Sequence, residues 1–255
     1  MGVPFGLLEV AGSYREIGRQ IGEGARPLIE RRVALFEDDF ERFAGGLSLS
    51  TAEALARPLL AAAERRLPQY VEELRGLAEG AAVPFARILL MNCGEELTCT
   101  LPPGPGHCTS LALAGEGRTV VAHNEDWEEQ DIAHQVLLRM AAPDGTRILA
   151  MKTAGLLAMT GLNAHGLAFG ANTVYAREEE ADASVGDGPD GAPLSALRPG
   201  VPNSLVCRWM LEAPTQSEAT ARALLPERAR GSNHLCGQAG GRRAARHAGR
   251  RAARV

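Results

Sequence analysis

The stretch GPGHCTSLAL, residues 104–113, places Cys108 at the first position of an alternating apolar run, behind Gly104, Pro105 and Gly106. A cysteine that only packs a core needs no such approach; a cysteine that must become a chain terminus does. The first residue of a mature chain carries its own base, because an α-amine with a reference pKa of about 7.7–8.0 is partly neutral around neutral pH. That amine can take the thiol proton, directly or through water, and release a thiolate to attack a carbonyl. The precursor must first break the His107–Cys108 bond. Attack of the Cys108 thiol on the His107 carbonyl would give a thioester that water opens. The glycines and proline in front allow an exposed or strained backbone at the scissile bond.

Elements on either side must position this residue. The first hundred residues read as helices. SYREIGRQIGEGARPLIERRVALFEDDFERF sets Ile17, Ile21, Leu28, Ile29, Val33, Phe36 and Phe40 at mostly helical spacings, and Ser13 with Glu16 has the form of a capping box. A second helix is expected from Ser50 or Thr51. Pro68 suits the first turn of a third, and PFARILLMNCGEEL reads as a short fourth. From Cys108 the period changes to two. Three hairpins are expected, around Gly115-Glu116-Gly117, Pro143-Asp144-Gly145 and Asn163-Ala164-His165-Gly166. They imply an antiparallel sheet that the preceding helices can cover. REEEADASVGDGPDGAPLSALRPG reads as a polar loop, after which PNSLVCRWMLEA and TQSEATARALL return to helix.

The composition is that of a globular chain, 45% hydrophobic and 23% charged. A net charge of −4 argues against general nucleic-acid binding, and no run approaches the roughly 20 apolar residues of a membrane span. The start, MGVPFGLLEV, shows neither a basic n-region nor a small-residue cleavage site, so no secretory signal is read. Five cysteines without CxxC spacing fit reduced thiols in a cytoplasm; Cys93, Cys99, Cys207 and Cys236 read as structural. His107, His123, His134 and His165 have no metal-ligand spacing. Residues 237–255 are an Arg/Ala/Gly-rich string with almost nothing apolar larger than alanine. It reads as a frameshifted or otherwise aberrant end, with a basic tail for anionic partners as the alternative.

HCTS, followed one hairpin later by HNEDW, resembles the isopenicillin N acyltransferase (penicillin acyltransferase) family of N-terminal-nucleophile hydrolases. Asp126 lies eighteen residues after Cys108, as in that family's Asn-x-Asp-aromatic motif. GSYREIGRQIGEGAR, PQYVEELRGLAEGAAV and GLNAHGLAFGANTV are similar to further family signatures, and the likeness runs from about Val10 to Cys236. The resemblance implies that Asp126 hydrogen-bonds the new α-amine of Cys108. It implies that Asn172 and Asn233 stabilise the tetrahedral oxyanion, and that Asn124 and Trp127 support Asp126. His123 stands where related bile-salt and penicillin V hydrolases have an arginine, so an arginine-dependent step is not carried over.

The resemblance further implies an α+β chain with a four-layer αββα sandwich, incomplete here at its C-terminus. Residues 1–107 would be a mainly helical small chain, 108–236 the nucleophile-bearing sheet and helices of the same domain, and 237–255 the aberrant tail. It implies no metal or organic cofactor. The expected partners are a small-molecule amide or acyl-thioester substrate and the chain's own cleaved N-terminal segment, with no nucleic acid or membrane and a homo-oligomer left open. Two rivals stand beside this reading: a conventional Cys-His hydrolase without self-cleavage, and a truncated inactive remnant or interaction scaffold. The bland roles are a small core residue for Cys108, a turn with an aromatic anchor for Asp126 and Trp127, and turn residues for Asn163 and Asn172.

Overall fold

The computed structural model describes residues 6–44, 46–97, 108–126, 129–173, 199–230, 232–239 and 245–248. The chain opens on a strand, β1 (Leu7–Ala11), where only helices are expected from the sequence. Helix α1 (Tyr14–Gly24) follows, with the capping box in place: Glu16 N donates to Ser13 Oγ at 3.3 Å and Ser13 N to Glu16 Oε2 at 2.8 Å. The long helical pattern then breaks once. Ala25, at φ −112° and ψ 14°, separates α1 from α2 (Arg26–Phe43), whose first turn carries Pro27. Proline has no N–H for a continuing helix to use, so the first turn of a new helix suits it. Helix α3 (Leu49–Arg66) starts just ahead of its expected position because Ser48, not Ser50 or Thr51, caps it through Thr51 N at 3.3 Å. Pro68 opens α4 (Pro68–Ala81) as expected, and α5 (Phe85–Asn92) and α6 (Gly94–Leu97) complete the helical half.

The strands form two sheets. β2 (Cys108–Gly115) and β3 (Arg118–Glu125) make an antiparallel pair whose turn residues, Glu116 and Gly117, have φ of 50° and 74°. That left-handed pair is the turn that matches strand twist in a two-residue hairpin. After a 3-10 segment (Glu129–His134) come β4 (Gln135–Ala141), β5 (Arg147–Thr153), β6 (Thr160–Asn163) and β7 (Leu167–Thr173). Helices α7 (Asn203–Met210) and α8 (Gln216–Ala223) precede β8 (Ser232–Gln238) and β9 (Ala245–Ala248). The larger sheet runs β1-β4-β5-β6-β7-β8-β9. It is mixed, because β1 pairs parallel with β4 and the remaining pairs are antiparallel. β8 thus continues through Gly237 and Gln238, and Ala245–Ala248 add a strand beyond it. The polar loop expected over 177–200 lies almost wholly outside the described residues.

Strand alternation divides the faces of the large sheet. Val136, Leu138 and Met140 of β4 and Ile148 and Ala150 of β5 pack into one core with Ile17, Ile21, Leu74 and Leu77 of α1 and α4 and with Leu205, Val206 and Met210 of α7. The opposite face of β7 and β8 receives the β2–β3 hairpin. The arrangement among the described residues is therefore helices, large sheet, hairpin, and the molecule is α+β. On the hairpin's outer face Leu111, Leu113 and Val120 are exposed. No helix among the described residues is long and apolar enough to cross a membrane.

A buried polar cluster ties the segments before and after Cys108 together. Arg208 of α7 is fully buried; its Nε donates to Glu73 of α4 at 2.9 Å and its Nη1 lies 2.9 Å from Glu212. Glu212 also accepts from Tyr14 (2.9 Å) and Tyr70 (2.6 Å). Nearby, burial pushes the Lys152 ammonium down to about 8. Within the segment before Cys108, the α1–α4 contact is made backbone to backbone. A Cβ at Gly18 would fall on the Glu73 carbonyl, and one at Gly76 on the Arg15 carbonyl. The glycine-bearing signatures of the sequence are thus a packing device.

Gly76→Ala should push the two helices apart and lower the unfolding free energy by about 3 kcal/mol, read as a lower urea midpoint. An unchanged midpoint would show that the helices do not approach this closely.

Candidate active site

Cys108 sits at the end of β2 opposite Glu125 of β3. Alternation puts Cys108 and Ser110 of β2, with His123 and Glu125 of β3, on the hairpin face that meets the large sheet. Contact is close there because the facing strands carry glycines. A Cβ at Gly170 of β7 would lie 2.8 Å from the His123 ring, and one at Gly237 of β8 would lie 2.6 Å from Thr119 Cγ2. Asn172 of β7 projects into the same inter-sheet space, where its Oδ1 accepts from Ser110 Oγ at 2.6 Å. Asn233 of β8 is paired directly opposite Asn172, so the two asparagines share a face.

The thiol of Cys108 is half-buried. Burial is the main reason its pKa rises to about 11, and the carboxylates of Glu125 and then Glu95 add to the rise. Backbone hydrogen bonds from Thr173 and Asp126 oppose it. In the intact chain the sulfur is therefore protonated at neutral pH and is a poor nucleophile. Glu95 belongs to a neighbouring polar cluster on the helix side. It accepts from Thr173 Oγ1 at 3.3 Å and from Asn203 Nδ2 at 3.0 Å, while Glu96, pushed up to about 7 by burial and by Glu95, accepts from Asn203 N at 2.8 Å.

The sequence-predicted residues are placed as follows. Cys108, Asn172 and Asn233 meet at the same end of the inter-sheet space. Asp126 follows β3 with its carboxylate exposed, and its Oδ1 accepts from Asn124 Nδ2 at 2.5 Å. His107 and Trp127 lie outside the described residues, as does Cys99. Asn163 is buried and its amide is saturated: Nδ2 donates to Leu211 O (2.9 Å) and Ala213 O (2.8 Å), while Oδ1 accepts from His165 N (3.0 Å) and Leu167 N (3.2 Å). Its work is structural. Cys93, Cys207 and Cys236 are buried, with thiols pushed up by that burial. Among the described residues no three His, Cys, Asp or Glu side chains gather as a metal site would require.

Sequence reading missed three members of the site. Ser110 Oγ lies 2.9 Å from His123 Nδ1, and His123 Nε2 lies 3.4 Å from Glu125 Oε1 without hydrogen-bond alignment. The signal was available. Once the hairpin turn is set at Glu116-Gly117, the register puts Ser110 opposite His123 and both on the Cys108 side.

No family model matches the chain. Curated proteins do, two of which follow. Over 216 residues, 82% of this chain and 53% of the relative, it is 26% identical to the acyl-coenzyme A:6-aminopenicillanic-acid-acyltransferase 40 kDa form of Emericella nidulans. Over 134 residues, 50% of this chain and 35% of the relative, it is 24% identical to the β-alanyl-dopamine/carcinine hydrolase of Drosophila melanogaster. These are homologues of the chain, and the name of the first agrees with the penicillin acyltransferase resemblance of its motifs. The chain spans about half the length of the first relative and about a third of the second.

Removing the carboxylate nearest the thiol lowers the thiol pKa, so Glu125→Gln should raise the thiolate fraction at a fixed neutral pH. In intact chain, alkylation of Cys108 by iodoacetamide should speed up severalfold, read by peptide mapping. An unchanged rate would mean that Glu125 does not set the charge at the sulfur.

Proposed function

We propose that this chain is the nucleophile-bearing part of a self-processing cysteine amidohydrolase or acyltransferase. The observation that carries the reading is the position of Cys108. It is the first residue of its strand, with its thiol against the backbone of Thr173 and Asp126, beside Asn172 and Asn233 on facing positions of the adjoining sheet.

The first reaction is internal. The Cys108 sulfur adds to the His107 carbonyl, the C–N bond breaks, and the former amide nitrogen takes the thiol proton. Water then hydrolyses the thioester, leaving a carboxylate on His107 and a free thiol and α-amine on Cys108. The two segments stay together, because the common core and the Arg208 cluster contain residues from both sides of the break.

In the second reaction the α-amine takes the thiol proton as the sulfur attacks an amide or thioester carbonyl. Asp126 accepts a hydrogen bond from the resulting ammonium. Asn172 and Asn233 donate to the oxyanion, a kind of contribution worth roughly 3–4 kcal/mol per donor. The ammonium returns its proton to a leaving amine, or in the thioester case to the leaving thiolate, and an S-acyl enzyme remains. Water or an amine acceptor then removes the acyl group. The names of the relatives span both outcomes, one an acyltransferase and the other a hydrolase.

Leu111, Leu113 and Val120 give the hairpin's outer face an exposed apolar surface that a further layer could cover. Further strands beside the hairpin and a second helical layer over it would complete an αββα sandwich. A conventional Cys-His hydrolase finds less support, since His123 is engaged by Ser110 and faces Glu125.

Denaturing mass spectrometry of the purified chain should give two fragments that meet at Cys108, and Cys108→Ala should give one uncleaved mass. A single mass that nonetheless turns over an amide overturns self-processing; a single inert mass favours the scaffold reading. In cleaved protein, Asp126→Asn should slow turnover at least about tenfold with its thermal midpoint within a few degrees of wild type. Equal activity would remove Asp126 from the mechanism.

A further inference from the structure

A carboxamide has two ends of nearly equal size and opposite polarity, so packing alone does not choose which end faces a reacting carbonyl. At Asn172 the choice decides the sign of the interaction. With Nδ2 toward the cleft the side chain stabilises an oxyanion; with Oδ1 there it repels one. Hydrogen bonds must make the choice, and the inter-sheet space holds a chain of them. Ser110 Oγ reaches Asn172 Oδ1 at 2.6 Å on one side and His123 Nδ1 at 2.9 Å on the other.

We propose that His123 is a positioning residue which, through Ser110, holds the Asn172 carboxamide in its donor orientation. A serine hydroxyl is ambivalent: it can donate to Oδ1 or accept from Nδ2. It donates to Asn172 when a neighbour donates to it. His123 supplies that donor at Nδ1, so the proton order runs from His123 through Ser110 to Asn172 Oδ1. Both Nδ2 hydrogens of Asn172 are left for an acceptor near Cys108. The ring is held in place by the close approach of Gly170, where a Cβ would lie 2.8 Å from it, and its far edge faces Glu125 across 3.4 Å. The next residue along β7, Thr173, is the one whose backbone reaches the Cys108 thiol. The relay therefore ends beside the nucleophile.

This inference rests on the nucleophile reading given above, and its test separates the two. Cleaved protein is mixed with p-nitrophenyl acetate, and the burst of p-nitrophenolate reports acylation of Cys108. Ser110→Ala, which removes one atom, and His123→Phe should each slow the burst at least about tenfold with KM within about twofold of wild type. Asn172→Ala should slow it at least as much. Adding His123→Phe to Asn172→Ala should cost nothing more, because the relay acts only through that amide. His123→Gln, whose amide N–H can still donate to Ser110, should recover the rate to within a few-fold.

A full rate in Ser110→Ala, or losses that multiply in the double variant, overturns the proposal. A second measurement does not depend on activity. In Cys108→Ala protein, the side-chain amide signals of Asn172 in ¹⁵N–¹H spectra should shift on Ser110→Ala and on His123→Phe but return toward wild type in His123→Gln. Unmoved signals also overturn the relay. A burst of wild-type size in Cys108→Ala protein would instead sink the nucleophile reading and leave these spectra to judge the relay alone.

Discussion

The distance between the hairpin and the large sheet is the constraint on which the site depends. Two sheets that meet through ordinary side chains pack about 10 Å apart, too far for a serine on one strand to touch an asparagine on the other. Here the facing strands carry Gly170 and Gly237, and the hairpin settles into the room they leave, with His123 over the first and Thr119 and Val121 over the second. Thr119 Oγ1 also donates to Gln238 O at 3.1 Å, pinning the turn end of the hairpin. Only because of that approach does Ser110 reach Asn172. The thiol of Cys108 meets the backbone of Thr173 across the same interface. The polar groups of the site are brought together by what two residues lack.

The helical half was the more legible part of the sequence, because its signals are local. The Ser13–Glu16 capping box and Pro68 at a helix start need only their own neighbours. Strands that close onto distant partners left less trace. β1 has one buried residue, Val10, in five and pairs with a strand some 130 residues later, so neither alternation nor a turn signal marks it. β8 reads as polar, SNHLCGQ, yet it is a sheet strand. It buries His234, whose Nε2 lies 3.4 Å from the Cys207 sulfur. A histidine whose partner comes from another element looks hydrophilic until that element is placed.

The same distinction divides the site. Cys108 announced itself through its approach, and Asp126 and the two asparagines through motifs. Ser110, His123 and Glu125 lie inside the HCTS and HNEDW stretches, yet the motifs assign them no role; their relevance comes from sharing a face with Cys108, a property of register. Asn163 shows the converse. Beside a glycine-containing turn it resembles Asn172 in sequence, yet four backbone hydrogen bonds use up its amide, whereas Asn172 is turned toward Ser110 in the inter-sheet space. Residue type alone did not separate these two asparagines, and the strand face did.

The electrostatics of the nucleophile carry the argument one step further. Glu125 and Glu95 disfavour a thiolate at Cys108 in the intact chain, which looks like poor preparation for catalysis. On the proposed reading the effect reverses its value after cleavage. A negative field that opposes a thiolate favours an ammonium at nearly the same place, so the carboxylates that keep the uncut sulfur quiet make the freed α-amine a better base. The ammonium formed when that amine takes the thiol proton then supplies the positive charge the sulfur had lacked. Backbone hydrogen bonds from Thr173 and Asp126 already favour the thiolate in the intact chain. One arrangement of fixed groups can thus keep the sulfur of the intact chain protonated and still serve the cleaved one, the difference being a single new titratable nitrogen.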